Sequence, residues 1–283
     1  MMETGKLYLV ATPIGNLGDM SPRAVETLKS VGLIAAEDTR NSIKLLNHFN
    51  IKVPITSYHE YNKIEKAHEL ISRMQEGISI ALITDAGMPA ISDPGEDLVR
   101  LCYESGIEVT VVPGPSAVVS AAALSGLSSR RFVFEGFLPA DKKEKEEALE
   151  RLRNETRTII LYEAPHRLMK TLAALEQVLG GDRDISLVKE LTKLHERVIR
   201  TTISEAQKME EPKGEYVIVI EGRDPQELIE KERSEWDKLS VKEHVALYEA
   251  RGMSRKDAMK QAAADRGVGK REIYRECIEE DDE

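Results

Sequence analysis

Apolar residues in this chain gather in short unbroken runs, and stretches with helical spacing separate the runs. Leu7 to Ala11, Leu33 to Ala36 and Ile80 to Ile83 lack polar alternation, which predicts strands buried on both faces of a parallel sheet. Pro54 to Ser57 and Glu108 to Val112 read as further strands of that sheet. Between them, Ala24, Val25, Leu28 and Val31 line one face of a helix. It starts at Ser21-Pro22, a hydroxyl cap followed by proline at the first helical position. Ile64, Ala67, Leu70, Ile71 and Met74 mark a second helix, and Leu98, Val99, Leu101 and Cys102 a third. Strands and helices that alternate in this way specify an α/β fold.

The second half repeats the theme less regularly. Phe132 to Phe137, Thr158 to Tyr162, Ile185 to Val188 and Tyr216 to Ile220 are expected strands, and Arg197 to Thr202 is expected to pair antiparallel. Lys142 to Arg153 reads as a helix with a solvated, charged face. Pro113-Gly114-Pro115 cannot continue a strand and marks a hinge, with Ser116 placed to cap a helix running to Ala123. Asp224 to Asp237 is acidic and polar and reads as a linker. Three short helices follow, with glycine turns at Gly252 and at Gly267-Val268-Gly269, and they resemble a helix-turn-helix unit. The expected organisation is an N-terminal α/β domain over 1–113, a second over 114–223, a linker over 224–238 and a helical unit over 239–283.

Composition bounds the function classes. At 283 residues, 41% hydrophobic and 32% charged, the chain has room for a sizeable core. No apolar run approaches the length of a membrane-spanning helix, and Met1 to Lys6 lack a charged-then-apolar leader pattern. Only Cys102 and Cys277 occur, far apart and in helical patterns, so a reducing cytoplasm is expected rather than a disulfide framework or a cysteine-rich metal site. The net charge of -10 argues against general nucleic-acid binding. Its distribution alters that picture. Arg251 to Arg275 carries eight Lys/Arg against three Asp/Glu, while Glu276 to Glu283 carries six acids and no base. The basic helices suit phosphate contacts or, equally, a small bundle docked on the main body.

Candidate chemistry sits where strands end, because open α/β sheets bind ligands outside the carboxyl ends of their strands. After Ile83 comes a long loop with Asp85 at the strand mouth and Gly87 free to let backbone approach a ligand. The plain alternative is an ordinary connecting loop. Glu37-Asp38-Thr39-Arg40 is either site material or the cap of the next helix. The sequence lacks the spacing of a nicotinamide Gly-x-Gly-x-x-Gly loop, a P-loop, a His-Glu-x-x-His site and a Gly-x-Ser-x-Gly elbow. His59, His166 and His195 are too widely spaced for a local metal motif, and no metal is expected.

Five stretches stand in order: Thr12-Pro13-Ile14-Gly15-Asn16-Leu17-Gly18-Asp19, Ala36-Glu37-Asp38-Thr39-Arg40, Thr84 to Gly95, Val112-Pro113-Gly114-Pro115-Ser116-Ala117 and Tyr162-Glu163-Ala164-Pro165-His166-Arg167. Together they resemble the tetrapyrrole-methylase superfamily of S-adenosylmethionine-dependent methyltransferases, over residues 7–222 and on into the helical unit. The resemblance implies two α/β domains with S-adenosyl-L-methionine in the cleft between them, plus a small C-terminal helical unit, usually as a homodimer. It implies cofactor contacts from Asp85, Ala86, Gly87, Ile91 and Ser92, from Ser116 and Ala117 at the hinge, and from Leu138 and Tyr162, with Pro13 beneath the transfer point. Porphyrin-methylating relatives carry Gly-x-Gly-x-Gly-Asp in the first loop, which Pro13 and Ile14 to Asp19 replace here. The narrower resemblance is therefore to the branch that methylates the 2′-oxygen of a cytidine in the 16S rRNA of the small ribosomal subunit. A tetrapyrrole or modified amino acid as acceptor, and a non-catalytic ribosome-binding protein, are the rival readings.

Methyl transfer from a sulfonium needs the acceptor oxygen held about 3 to 3.5 Å from the methyl carbon. A ribose hydroxyl is a weak acid, so a nearby base or cation helps. Glu60, Glu163, Lys189 and Glu190 are the catalytic candidates, with Glu37 and Asp38 at equivalent strand mouths; each serves equally as a helix cap. Arg40, Arg167, Lys193, Arg197 and Arg200, with Arg255, Lys256, Lys270 and Arg271 of the helical unit, are the candidates for RNA phosphates, and each singly reads equally as a surface charge.

Overall fold

The computed structural model describes residues 4–210 and 212–279. The first sheet and its helices comprise β1 (Leu7–Val10), α1 (Pro22–Ser30), β2 (Leu33–Ala36), α2 (Thr39–His48), β3 (Ile55–Ser57), α3 (Lys63–Gln75), β4 (Ile80–Ile83), α4 (Gly95–Glu104) and β5 (Val109–Val112). All five strands are parallel, in the order β3-β2-β4-β1-β5. β2 and β4 are buried at every position, which is why their apolar runs show no alternation. Leu7, Ala35 and Leu82 pack with Leu70, Met74 and Leu98 on one face. Val10, Ile34 and Ile83 pack with Leu28 and Leu46 on the other. Ser21 caps α1 as its sequence suggests, accepting from Ala24 N at 3.1 Å.

The second sheet follows with α5 (Ala117–Leu124), β6 (Phe132–Phe137), α6 (Lys142–Leu152), β7 (Thr158–Glu163), α7 (Pro165–Leu179), β8 (Asp184–Lys189), β9 (Arg197–Thr202), α8 (Ile203–Ala206) and β10 (Tyr216–Ile220). Its strand order is β6-β7-β10-β8-β9. β6 and β7 are parallel, β9 is antiparallel to β8, and β10 is antiparallel to both of its neighbours. Tyr216, the first residue of β10, therefore lies between Glu163 and Lys189, the last residues of β7 and β8. Leu161, Leu187 and Ile218 pack on Leu168, Leu172 and Leu175 of α7. On the opposite face, Ile160, Val188 and Val219 pack on Val118, Ala121 and Ala122 of α5, whose small side chains permit a close approach. The two sheets group into one compact unit.

The chain from Gly222 onward, with Asn154–Thr156, forms a second unit. It contains α9 (Pro225–Trp236), α10 (Val241–Ala250), α11 (Arg255–Arg266) and α12 (Lys270–Glu279). The stretch from Asp224 to Asp237 is thus a helix and not the linker its composition suggests. Asp224 caps it by accepting from Gln226 N, and Pro225 occupies the first turn. Trp236 at its end stacks on His244 of α10, 3.9 Å between ring centroids. Val245, Tyr248, Ala258, Ala262, Ile273 and Cys277 form the core of the unit. Gly267, left-handed at φ 66°, closes α11 and turns the chain into α12.

Candidate active site

β2 and β4 pair with Ala36 opposite Ile83, so the next residues, Glu37 and Thr84, stand side by side at the sheet edge. Thr84 Oγ1 donates to Glu37 Oε2 at 2.7 Å. Asp38 caps α2, accepting from Arg40 N at 2.8 Å. Both of its oxygens also receive the Arg40 guanidinium, which holds the Asp38 carboxyl below its ordinary value. Asp85 accepts from Asp38 N at 3.3 Å and from Asn41 Nδ2 at 3.5 Å. Burial, reinforced by the charge of Glu37 and opposed by the Asn41 amide, pushes the Asp85 carboxyl up.

The loop after β4 is fixed at both ends. Thr12 N donates to Gly87 O at 2.9 Å and Gly87 N to Thr12 O at 3.1 Å, an isolated antiparallel bridge between the β1 and β4 loops. Gly87 has φ +87°, and a Cβ there would stand 3.2 Å from Ile14 Cγ2. Ala90 and Ser92 are left-handed at φ 65° and 61° without being glycine, a strain on the order of 1–3 kcal/mol each. Asp93 secures that geometry, with Oδ1 accepting from Ala90 N at 2.9 Å and Gly95 N at 2.7 Å. Its Oδ2 is buried and has no partner among the described residues. Burial pushes this carboxyl up, against the pull of those two N–H groups.

A cavity of about 370 Å³ opens between this edge and the corresponding edge of the second sheet. That volume suits a small organic ligand. Its apolar lining includes Ile14, Met88, Ile91, Phe137, Val188, Leu191 and Val217, and its acidic lining Glu37, Asp85, Asp93, Glu163 and Glu215. Tyr162 packs against Phe134 and Phe137, with ring centroids 4.9 and 5.5 Å apart. Burial pushes its phenol up to about 12, so it stays neutral in the wall at neutral pH.

The residues singled out by sequence fall into three groups. Asp85, Ala86, Gly87, Ile91, Ser92, Ser116, Ala117 and Tyr162 all line the cavity. Pro13 and Leu138 stand outside its lining: Leu138 is buried in the core beneath α7, and its carbonyl accepts from Arg167 Nη2 at 2.6 Å. Of the catalytic candidates, Glu163 lines the cavity, as does Glu37 at its own strand mouth, and the Glu163 oxygens are taken by Ala164 N at 2.9 Å and Thr171 Oγ1 at 2.6 Å. Glu60 is paired with Lys63 at 2.8 Å away from the cavity. Glu190 Oε1 accepts from Lys193 Nζ at 3.0 Å and from Glu215 N at 2.9 Å, which lowers its carboxyl. Lys189 is half-buried at the end of β8. Arg40, Arg167 and Lys193 are committed to protein partners. Arg197 and Arg200 are exposed on β9, where Arg200 lines a separate shallow cavity with Thr202 and Glu205. Arg255, Lys256, Lys270 and Arg271 are exposed on α11 and α12.

Several lining residues escaped the sequence reading. Glu215, Tyr216 and Val217 reach the cavity because β10 runs antiparallel and brings its amino end to the edge where its neighbours bring their carboxyl ends. Glu215 is followed by five apolar residues, the one sequence mark of its place at a strand mouth. Among the described residues, no group of His, Cys, Asp and Glu is arranged to hold a metal ion, and no helix is long and apolar enough to cross a membrane.

Comparison with known proteins bears on this architecture. The family profile described as tetrapyrrole (corrin/porphyrin) methylases matches residues 6–207. The chain belongs to that family. The tetrapyrrole-methylase match extends to close relatives. A Synechocystis protein named ribosomal RNA small subunit methyltransferase I is 46% identical over 278 residues, covering 97% of this chain and 98% of the relative. A Bacillus subtilis protein of the same name is 47% identical over 275 residues, covering 96% and 94%. A Thermotoga maritima protein, again of that name, is 45% identical over 223 residues, covering 78% of this chain and 100% of the relative. Two solved structures share the fold: diphthine synthase, with TM-score 0.63 and 14% identity over 76% of this chain and 89% of that one, and uroporphyrin-III-C-methyltransferase from Thermus thermophilus, with TM-score 0.55 and 18% identity over 77% and 94%.

Proposed function

We propose that this chain transfers a methyl group from S-adenosyl-L-methionine to the 2′-oxygen of a cytidine in the 16S rRNA of the small ribosomal subunit. One observation carries the reading: nearly the whole chain, helical unit included, matches relatives named for small-subunit rRNA methylation. The tetrapyrrole acceptor belongs to the name of a neighbour at 18% identity, which shares the fold alone.

The cavity residues fit the donor. Gly87 leaves a space that a Cβ would fill. The apolar and aromatic wall suits an adenosyl group, and the carboxylates Asp85, Asp93 and Glu215 suit the positive charge of a sulfonium or an ammonium. We assign Asp85, Ala86, Gly87, Ile91, Ser92, Ser116, Ala117 and Tyr162 as the donor's contacts, drawn from the lobes 1–113 and 114–223. When bound, the donor supplies an electrophilic methyl group. The bridged β1 and β4 loops and the Tyr162 aromatic cluster hold the cavity walls in place, which orients bound groups at low entropic cost. The exposed Lys256, Lys270, Arg271 and Arg275 of the helical unit, with Arg197 and Arg200 on β9, are assigned to RNA phosphates. A homodimer in the cytoplasm completes the proposal.

Calorimetric titration of S-adenosyl-L-methionine into the protein tests the donor assignment. Binding at one site per chain is the expected result, and absence of heat would favour a non-catalytic ribosome-binding role. Sedimentation of the same sample tests the dimer.

A further inference from the structure

A methyltransferase acting on a ribose hydroxyl benefits from a base that collects the proton. Resting on the rRNA-methylation reading, we propose that Glu37 is that base. It accepts the proton of the ribose 2′-hydroxyl in the cavity, and Thr84 orients its carboxylate.

The carboxylates around the cavity differ in what engages them and in how far they are exposed. Both oxygens of Asp38 hold Arg40. Both oxygens of Asp85 accept, from Asp38 N and Asn41 Nδ2. Glu163 is buried and bonded to Ala164 N and Thr171. Glu215 is ion-paired through Oε2 with Lys193 at 2.8 Å, and its side chain is 78% exposed. Asp93 spends one oxygen on the loop, and the other is buried from solvent. Glu37 lines the cavity without a cationic partner among the described residues, and its Oε2 is engaged by the Thr84 hydroxyl.

Its mounting is rigid. Thr84 is buried at the end of β4, and its carbonyl accepts from Oγ1 of the fully buried Thr12 at 3.1 Å. Thr12 belongs to the bridge with Gly87. A nucleophile, a base and a group that orients the base are the parts this chemistry calls for. The other charged groups around Glu37 are Asp85 and Asp93 from the β4 loop and Asp38 with Arg40 on its own segment, and the charge of Glu37 is among the causes that raise Asp85 and Asp93.

The step balances. The ribose O2′–H bond breaks and its proton goes to Glu37 Oε1. The electron pair on O2′ forms the new O–C bond, the S–C pair stays with sulfur and cancels its charge, and Glu37 later returns the proton to water.

Wild-type transfer to small subunits is measured first; inactivity there would refute the rRNA reading and leave nothing for Glu37 to catalyse. With that activity in hand, E37Q is expected to lower kcat at least about 100-fold and to abolish the acid limb of the kcat–pH profile. Its S-adenosyl-L-methionine affinity by calorimetry and its small-subunit affinity by filter binding are expected to stay as in wild type. E37D is expected to keep the acid limb at reduced kcat, and T84V to lower kcat about tenfold with both affinities unchanged. An E37Q enzyme with near wild-type kcat and an intact acid limb would overturn the proposal, as would loss of cofactor binding, which makes Glu37 a donor contact. If E37Q does not fold by circular dichroism, unchanged kcat in both E37D and T84V overturns it.

Discussion

Glu163 shows how one residue type at a strand mouth takes on a structural task. The residue is 2% exposed, and its carboxylate accepts from Ala164 N and Thr171 Oγ1 while Arg167 Nε lies 3.4 Å away. Replacing it with alanine leaves the buried Thr171 hydroxyl without its acceptor while Arg167 keeps the Leu138 carbonyl, and a loss of about 1–3 kcal/mol in unfolding free energy is expected. Urea denaturation followed by far-ultraviolet circular dichroism measures it. A loss below about 1 kcal/mol would mean that the site relaxes around the gap. Sequence alone places Glu37, Glu60, Glu163 and Glu190 on an equal footing, because each follows a strand. What separates them is tertiary: Glu60 meets Lys63, Glu190 meets Lys193 and the amide of Glu215, Glu163 meets Thr171, and Glu37 lines the cavity with Oε2 on the Thr84 hydroxyl. Partners distant in sequence leave no local mark.

Elements were legible wherever burial was uniform. β2, β4 and β10 fall within the apolar runs that announce them, because a strand covered on both faces has no polar position to confuse the pattern. The reading failed at α9, where a high density of charge hid a capped helix, and it was silent on the direction of β10, which no local signal encodes. In the helical unit, α10 supplies a second consequence of burial. His244 is fully buried; Arg266 Nε donates to its Nδ1 at 3.2 Å, and its Nε2 lies 3.3 Å from Asp265 Oδ2 without an aligned hydrogen bond. Burial, with Arg266 and against Asp265, holds His244 below the ordinary histidine value of 6.5. As pH falls through that value the unfolded chain gains a proton that the folded unit refuses, so stability drops with falling pH. Trp236, the single tryptophan, stacks on His244 and reports on the unit by fluorescence. Its urea midpoint is expected to be lower at about pH 5.5 than at about pH 7.5, and His244→Asn is expected to flatten the difference. A midpoint independent of pH would contradict this assignment.

For the whole molecule, the arrangement of charge matters more than the sum. A net charge of -10 repels RNA at long range, yet α12 exposes Lys270, Arg271 and Arg275 on one short helix. Replacing Lys270, Arg271 and Arg275 by alanine is expected to weaken binding to small subunits. It should also make the slope of log K against log salt shallower by about 2 to 3, with S-adenosyl-L-methionine affinity unchanged. An unaltered salt slope would remove the helical unit from the RNA interface. The most direct test of the proposed function is methyl transfer from labelled S-adenosyl-L-methionine to purified small ribosomal subunits, with naked 16S rRNA and a tetrapyrrole mixture alongside. Label in the rRNA, mapped to a cytidine whose 3′ bond resists alkali, is the expected result. Label in the tetrapyrrole, or none in RNA while the cofactor still binds, would contradict it.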